Sequence, residues 1–293
     1  MALLLSVLEQ GMIYGILALG IYITYKILDF PDLTVDGSFP FGAAITVRLI
    51  SSAGIPAVWT LPLSFLGGAL VGMITGVIHV KLKVRDLLSG IIMMTGLYTI
   101  NLWVAGSGYV PIFNKETIFD NSLVNGICPS FLMNLKTVII IFLITMVAKY
   151  LLDWYMNTKS GFLLRAVGDN DSIVTSLGVD KGLVKIVGLS ISNGLVSLSG
   201  CIYAQQQRSF EVSIGTGAMV IGLASVIIGT SLFQKVTVLR VTSSVIIGSV
   251  LYKTCVALAM FTGIDANAIK LITAVLFLGI LVISRDRKKV QSC

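Results

Sequence analysis

Apolar residues in this chain come in long runs, not in the alternations that mark a strand or helix burying one face. Runs fall at 5–27, 58–80, 87–105, 132–152, 183–203, 236–261 and 269–284. Most reach the ~20 residues a helix needs to cross the hydrocarbon core. Two shorter apolar stretches, 38–50 and 217–233, each follow a polar break, at 28–37 and 204–216. A long polar loop at 106–130, with room for a short helix, and a hydrophilic segment at 153–180 separate the remaining runs. The pattern predicts an all-α, polytopic membrane helix bundle of about 8–10 spans forming one transmembrane domain over 1–293.

Composition supports this reading. Of the 293 residues, 56% are hydrophobic and 12% are charged, against about 25% charged in soluble domains. The net charge of +7 is not spread over one face. It gathers beside apolar runs, at Lys81, Lys83 and Arg85, at Lys149, Lys159, Arg165, Lys181 and Lys185, at Lys235 and Arg240, and in the tail from Arg285. This is the bias of cytoplasmic loops, and it places 153–180 and the tail inside and the N-terminus outside. It is not the basic, aromatic-studded face of a nucleic-acid binder. The first run lacks a basic leader and a small-residue cleavage site, so it reads as a retained span.

Catalytic signals are missing from the sequence. There is no Gly-x-Ser-x-Gly elbow, no His-Glu-x-x-His motif and no phosphate-binding P-loop pattern. The one histidine, His79, has no partner at ligand spacing, and Cys128, Cys201, Cys255 and Cys293 are unpaired in spacing. Neither a metal site nor a disulfide framework is expected.

The two polar breaks are alike. Asp32-Leu33-Thr34-Val35-Asp36-Gly37-Ser38 aligns with Glu211-Val212-Ser213-Ile214-Gly215-Thr216-Gly217, both reading carboxylate, aliphatic, hydroxyl, aliphatic. Each follows a full span and precedes a short helix, which predicts approximate half-repeats over 1–130 and 181–293 around a cytoplasmic segment at 153–180. Non-helical backbone at membrane depth survives only where protein or a water-filled cavity satisfies it. Paired interruptions therefore point to a transport pathway, with Asp32, Thr34, Asp36, Ser38, Glu211 and Ser213 as the candidates to line it. Ordinary surface loops between spans are the other reading of the same residues.

Within the hydrophilic segment, Asp169, Asn170 and Asp171 offer cap oxygens for a helix over 172–177, and Gly178 offers its left-handed stop. Ile173, Val174 and Leu177 give that helix an apolar stripe. Such a helix suits either docking in a groove of another protein or packing on the inner ends of the spans. Lys253 stands inside an apolar run, the kind of residue an ion-coupled, stand-alone secondary transporter requires.

Gly161-Phe162-Leu163-Leu164-Arg165-Ala166-Val167-Gly168-Asp169-Asn170, followed by Leu177-Gly178-Val179, resembles the cytoplasmic coupling-helix region of bacterial ABC importer permeases of the branched-chain amino-acid and ribose type. Asp32 to Ser38 is similar to the Asp-Leu-Ser-Val-Gly stretch of the sugar-type members, with Asp36 inserted before Gly37. The resemblance implies a multi-pass subunit of the bacterial cytoplasmic (inner) membrane, surrounded by lipid and paired with a second copy or a paralogous permease. It implies ATP-binding ABC subunits docked at Gly161, Arg165, Gly168, Asp169, Asn170, Ile173, Val174, Leu177 and Gly178, and an extracytoplasmic solute-binding protein. No cofactor is expected on this chain; ATP and Mg belong to the partner ATPase subunits. The implied solute is an amino acid, branched-chain or aromatic, with a sugar or nucleoside as the alternative.

Overall fold

The computed structural model describes residues 2–52, 54–121, 135–176, 178–233 and 239–261, with a few isolated positions between 271 and 279. Ten α-helices run in chain order among the described residues: α1 Ala2–Ile21, α2 Val35–Ser52, α3 Thr60–Lys81, α4 Asp86–Ala105, α5 Lys136–Met156, α6 Lys159–Asp169, α7 Asp171–Ser176, α8 Lys181–Gln207, α9 Ala218–Leu232 and α10 Val241–Phe261. Among the described residues, seven helical stretches are long and apolar enough to cross a membrane. The protein is a multi-pass membrane bundle, nearly all-α. The last expected span, 269–284, lies outside the described residues but for those few positions.

Helix α8 is the axis of the bundle. It lies antiparallel to α3, and their backbones touch through Gly68, Gly72 and Gly76 of α3, where a side chain would collide with Ser197, Leu189 or Ile186 of α8. Small residues four apart let helices approach closely where no hydrophobic force drives them together. On its other sides α8 meets α1, through Ser199 Oγ donating to the Ile13 carbonyl at 2.6 Å and Ser192 Oγ to the Gly20 carbonyl at 2.8 Å. Helix α10 packs on α1 at Gly11 and Gly15 and on α9 at Gly248 and Gly229. Large apolar side chains of α3, α4 and α5, such as Leu66, Leu70, Ile92, Leu143 and Leu151, point outward, as a lipid-facing surface requires.

One end of the bundle collects the basic clusters. Phe30 after α1 meets His79 near the end of α3, edge to face at 5.0 Å. At the same end Asp153 of α5 accepts hydrogen bonds from Thr242 Oγ1 at 2.7 Å and Arg240 Nη1 at 3.2 Å, and pairs with Lys149 at 3.5 Å. The positive-inside rule makes this the cytoplasmic end.

At the opposite end the structure departs from the sequence pattern. The stretch after α4 holds a strand, β1 Tyr109–Pro111, paired antiparallel with β2 Ser209–Glu211. Phe210 of β2 is fully buried, and Arg208, at φ 54, bonds Asp120 at 2.6 Å. Three-residue strands leave no periodic signal, and this ladder forms only because α8 brings β2 alongside the loop.

Candidate functional site

Helix α1 does not end cleanly. The six residues that continue it, Tyr22–Ile27, widen into a π-helix, with Leu28 N donating to the Ile23 carbonyl at 3.0 Å. Such turns are rare and gather at functional sites. The chain then passes through Asp29, a non-glycine residue at φ 51, into a non-helical stretch that ends at Val35.

That stretch is tied to the middle of α8. Asp32 Oδ1 accepts from the Thr34 backbone N–H at 2.9 Å, the local Asx turn that starts α2. Its Oδ2 accepts from Asn193 Nδ2 at 2.7 Å. Asn193 Oδ1 in turn accepts from Ser38 Oγ at 2.6 Å. Thr34 and Thr75 of α3 share a hydrogen bond at 3.2 Å. All five side chains are buried, and each polar group is matched, as burial demands.

Asp36 faces the second break. Its Oδ1 accepts from Met219 N at 2.8 Å and its Oδ2 from Gly217 N at 3.1 Å. Helix α9 begins after Gly217, whose φ of 84 suits only glycine and which brings no capping side chain. The cap comes from α2 instead, and a carboxylate at a helix N-terminus meets both the free N–H groups and the positive end of the dipole. Pro40 cannot donate to the Asp36 carbonyl, and Gly215 packs against that carbonyl and the proline ring with no room for a side chain. The two polar breaks are thus in direct contact.

Glu211 and Ser213 lie elsewhere. Both are exposed, and they bond each other at the far end of the bundle, beside the β1–β2 ladder. The structure brings Asp32, Thr34 and Ser38 into one buried network, sets Asp36 on α9, and leaves Glu211 and Ser213 at the outer surface.

On the cytoplasmic side α6 lies across the end of α1. Gly168 packs on the Ile27 carbonyl so closely that no side chain fits between them, while Leu164 meets Gly188 of α8 beside Leu28. The opposite face of α6, Phe162, Arg165 and Asp169, is exposed, with the Arg165 guanidinium 5.9 Å from the Phe162 ring centroid.

The profile of the family described as "Branched-chain amino acid transport system / permease component" matches residues 3–284. The chain belongs to this family of ABC importer permeases. Among its relatives is the tyrosine transport system permease protein of Clostridioides difficile, 39% identical over 95% of this chain and 90% of that one. Others are the ribose import permease protein RbsC of Haemophilus influenzae, 27% identical over 77% of this chain and 68% of that one, and the probable branched-chain amino acid permease LivH of Methanocaldococcus jannaschii, 26% identical over 73% and 70%. No solved structure matches the chain.

In this permease the helix expected at 172–177 is α7, Asp171–Ser176, and Gly178 has the left-handed conformation, φ 73. A longer helix, α6, precedes it. Asp169 is its last residue rather than a cap for the next helix, and Asn170 is extended between the two. Thr158 caps α6, accepting from Gly161 N at 3.4 Å. The signal for α6 was present, since Gly161, Leu164 and Val167 form an inward stripe three residues apart. Of the apolar stripe on α7, Val174 is fully buried in the chain's own core; Leu177 and the side chain of Ile173 lie outside the described residues. Gly161 is buried against Met156, and Arg165, Asp169, Asn170 and Gly178 are exposed.

Sequence reasoning missed Asn193 and Thr75, the partners that hold the first break. Asn193 was visible as an amide in the middle of an apolar run, a placement that calls for a partner inside the bundle.

Proposed function

We propose that this permease is the membrane-spanning subunit of an ATP-driven importer of an aromatic or branched-chain amino acid. It works beside a second copy or a paralogous permease. ABC ATPase subunits dock on α6 and α7, and an extracytoplasmic solute-binding protein delivers the solute. ATP and Mg belong to the ATPases; this chain's own residues transmit motion and shape the pathway.

The contact between Gly168 and the Ile27 carbonyl carries the mechanism. A shift of α6, driven through its exposed face at Phe162, Arg165 and Asp169, acts on the end of α1. From there the chain runs within five residues to Asp32 and then to Asp36, which holds the start of α9. Rigid helices pass such a shift on, and a difference in ATPase binding between two states of the bundle drives it. The interrupted helices, in two approximate half-repeats, form the gate, with Asp32, Thr34 and Ser38 holding one break in shape. Asp36 latches it to the other break, and Glu211 and Ser213 stand at the outer entrance.

The tyrosine-named relative, matched over nearly the whole of both chains, supports an amino acid as solute. The ribose-named relatives support a sugar or nucleoside as the second reading.

The test is uptake into ATP-loaded proteoliposomes holding the permease, its ATPase and its binding protein, with L-tyrosine, L-leucine and ribose compared. Uptake of an amino acid that needs ATP is the expected result. Uptake by the permease alone, driven by an ion gradient, overturns the importer reading; ribose uptake alone overturns the solute. A paired variant, Asp169→Arg with Leu177→Asp, is expected to stay inserted and lose the ATPase on purification. Unchanged copurification moves the docking site elsewhere.

A further inference from the structure

Lys253 is a cation in the middle of a membrane-spanning helix. It is half-buried on α10, and among the described residues it has no ion-pair or hydrogen-bond partner. Its ammonium instead lies over the ring of Tyr14 on α1, 3.6 Å from the centroid. Tyr14 is the centre of an aromatic cluster drawn from three helices. It stacks on Phe39 of α2 at 5.7 Å and meets Tyr203 of α8 edge-on at 6.1 Å, with Phe39 and Tyr203 themselves 5.5 Å apart. Phe39 and Tyr14 are buried, whereas Tyr203 is half-buried and keeps part of its surface open.

The position of this cluster follows from the packing of α1. Gly11 and Gly15 face α10, and Leu17 and Ile21 close over Gly222 of α9. Tyr14 falls between those two stripes. Helix α9 runs alongside α1 toward the cytoplasmic end and starts only at Ala218, one turn before Gly222. It therefore begins at about the level of Tyr14, and the outer part of this face of α1 is flanked by α8 and α10 instead. Ionisable side chains inside membrane spans face the bundle interior or a cavity and find a counter-charge there. Here the described residues supply ring faces and no counter-charge.

We propose that Lys253 anchors the carboxylate of a transported aromatic amino acid at a site within the membrane, with Tyr14 and Tyr203 supplying the ring surface. The ammonium exchanges the ring quadrupole, a weak partner, for a charge-assisted bond to the carboxylate. The vacated aromatic surface then packs against the solute's own ring in an edge or offset arrangement. This rests on the amino-acid importer reading above and names the groups that select within it.

The test is binding of radiolabelled L-tyrosine to the purified permease–ATPase complex, without binding protein, set beside uptake by the complete system. For the wild type, 3-(4-hydroxyphenyl)propionate, which keeps the carboxylate, is expected to compete, and tyramine, which lacks it, is not. Lys253→Met is expected to weaken L-tyrosine binding by about tenfold or more, and Lys253→Arg by no more than about threefold, since the second variant keeps the charge. Equal competition by tyramine, or wild-type affinity in Lys253→Met, overturns the proposal while amino-acid uptake leaves the importer reading intact. Wild-type complex that transports L-tyrosine and yet binds none also overturns it. Absence of any amino-acid uptake by the complete wild-type system fails the importer reading itself. If Lys253→Met does not assemble, the wild-type competition and Lys253→Arg decide.

Discussion

The Asp32 carboxylate and the Asn193 side-chain amide, 2.7 Å apart, fasten the polar stretch after α1 to the middle of α8. A carboxylate buried in a membrane protein is costly unless its oxygens are matched. Here Thr34 N–H serves one oxygen and Asn193 the other, while Asn193 is itself fixed by Ser38 and by the Leu189 carbonyl at 3.1 Å. Removing the amide strands two neighbours at once. Asn193→Leu is expected to destabilise the protein by about 1–3 kcal/mol. Thermal unfolding in detergent checks this, and a double variant with Asp32→Leu is expected to lose less than the sum of the two single changes. Additive losses mean that the pair is not coupled.

Asp36 caps a helix in the other half of the chain. Asp36→Ala removes the cap from Gly217 and Met219 and is expected to cost about 1 kcal/mol, confined to the first turn of α9. Amide hydrogen exchange is expected to quicken at the start of α9 and to stay unchanged in α5. Unchanged protection at Gly217 and Met219 removes the cap from the account.

Gly168 has no space for a side chain against the Ile27 carbonyl. Gly168→Val is expected to lift α6 off the end of α1, leaving the spans inserted and abolishing ATP-driven uptake while ATPase subunits still copurify. Uptake at the wild-type rate rules out this contact as the route of coupling.

Asp153 holds two cations and a hydroxyl at the cytoplasmic end, and both it and Lys149 are buried. Asp153→Ala leaves the Lys149 charge uncompensated, and breaking a buried pair in this way costs about 3–5 kcal/mol. The thermal midpoint in detergent is expected to fall sharply, and Lys149→Met in the Asp153→Ala background is expected to recover part of the loss.

Much of this fold was legible from where apolar runs begin and end. The spans that became α3, α4 and α8, and the shorter α9, lie within a few residues of their expected positions, because the hydrocarbon thickness fixes helix length. Two features were missed. The β1–β2 ladder depends on α8 delivering Phe210 to a loop far away in sequence. Helix α6 was missed as a separate helix because the cap oxygens of Asp169, Asn170 and Asp171 pointed to a helix starting at 172; in the fold, Gly161 and Gly168 are the points where its backbone meets backbone at Met156 and Ile27. For the candidate site, the sequence singled out Asp32, Thr34, Asp36 and Ser38 but not their partners. A hydrogen bond between residues more than 150 positions apart, such as Ser38 with Asn193, leaves no local pattern.

The central claim is that motion of α6 reaches the interrupted helices through the end of α1. Spin labels at Arg165 and Ser213, both exposed, measure it most directly by double electron–electron resonance in the assembled, transport-competent complex. Nucleotide binding to the ATPases is expected to shift the distance distribution between the labels, and Gly168→Val is expected to abolish the shift. A distribution unchanged by nucleotide in a complex that still transports contradicts the claim.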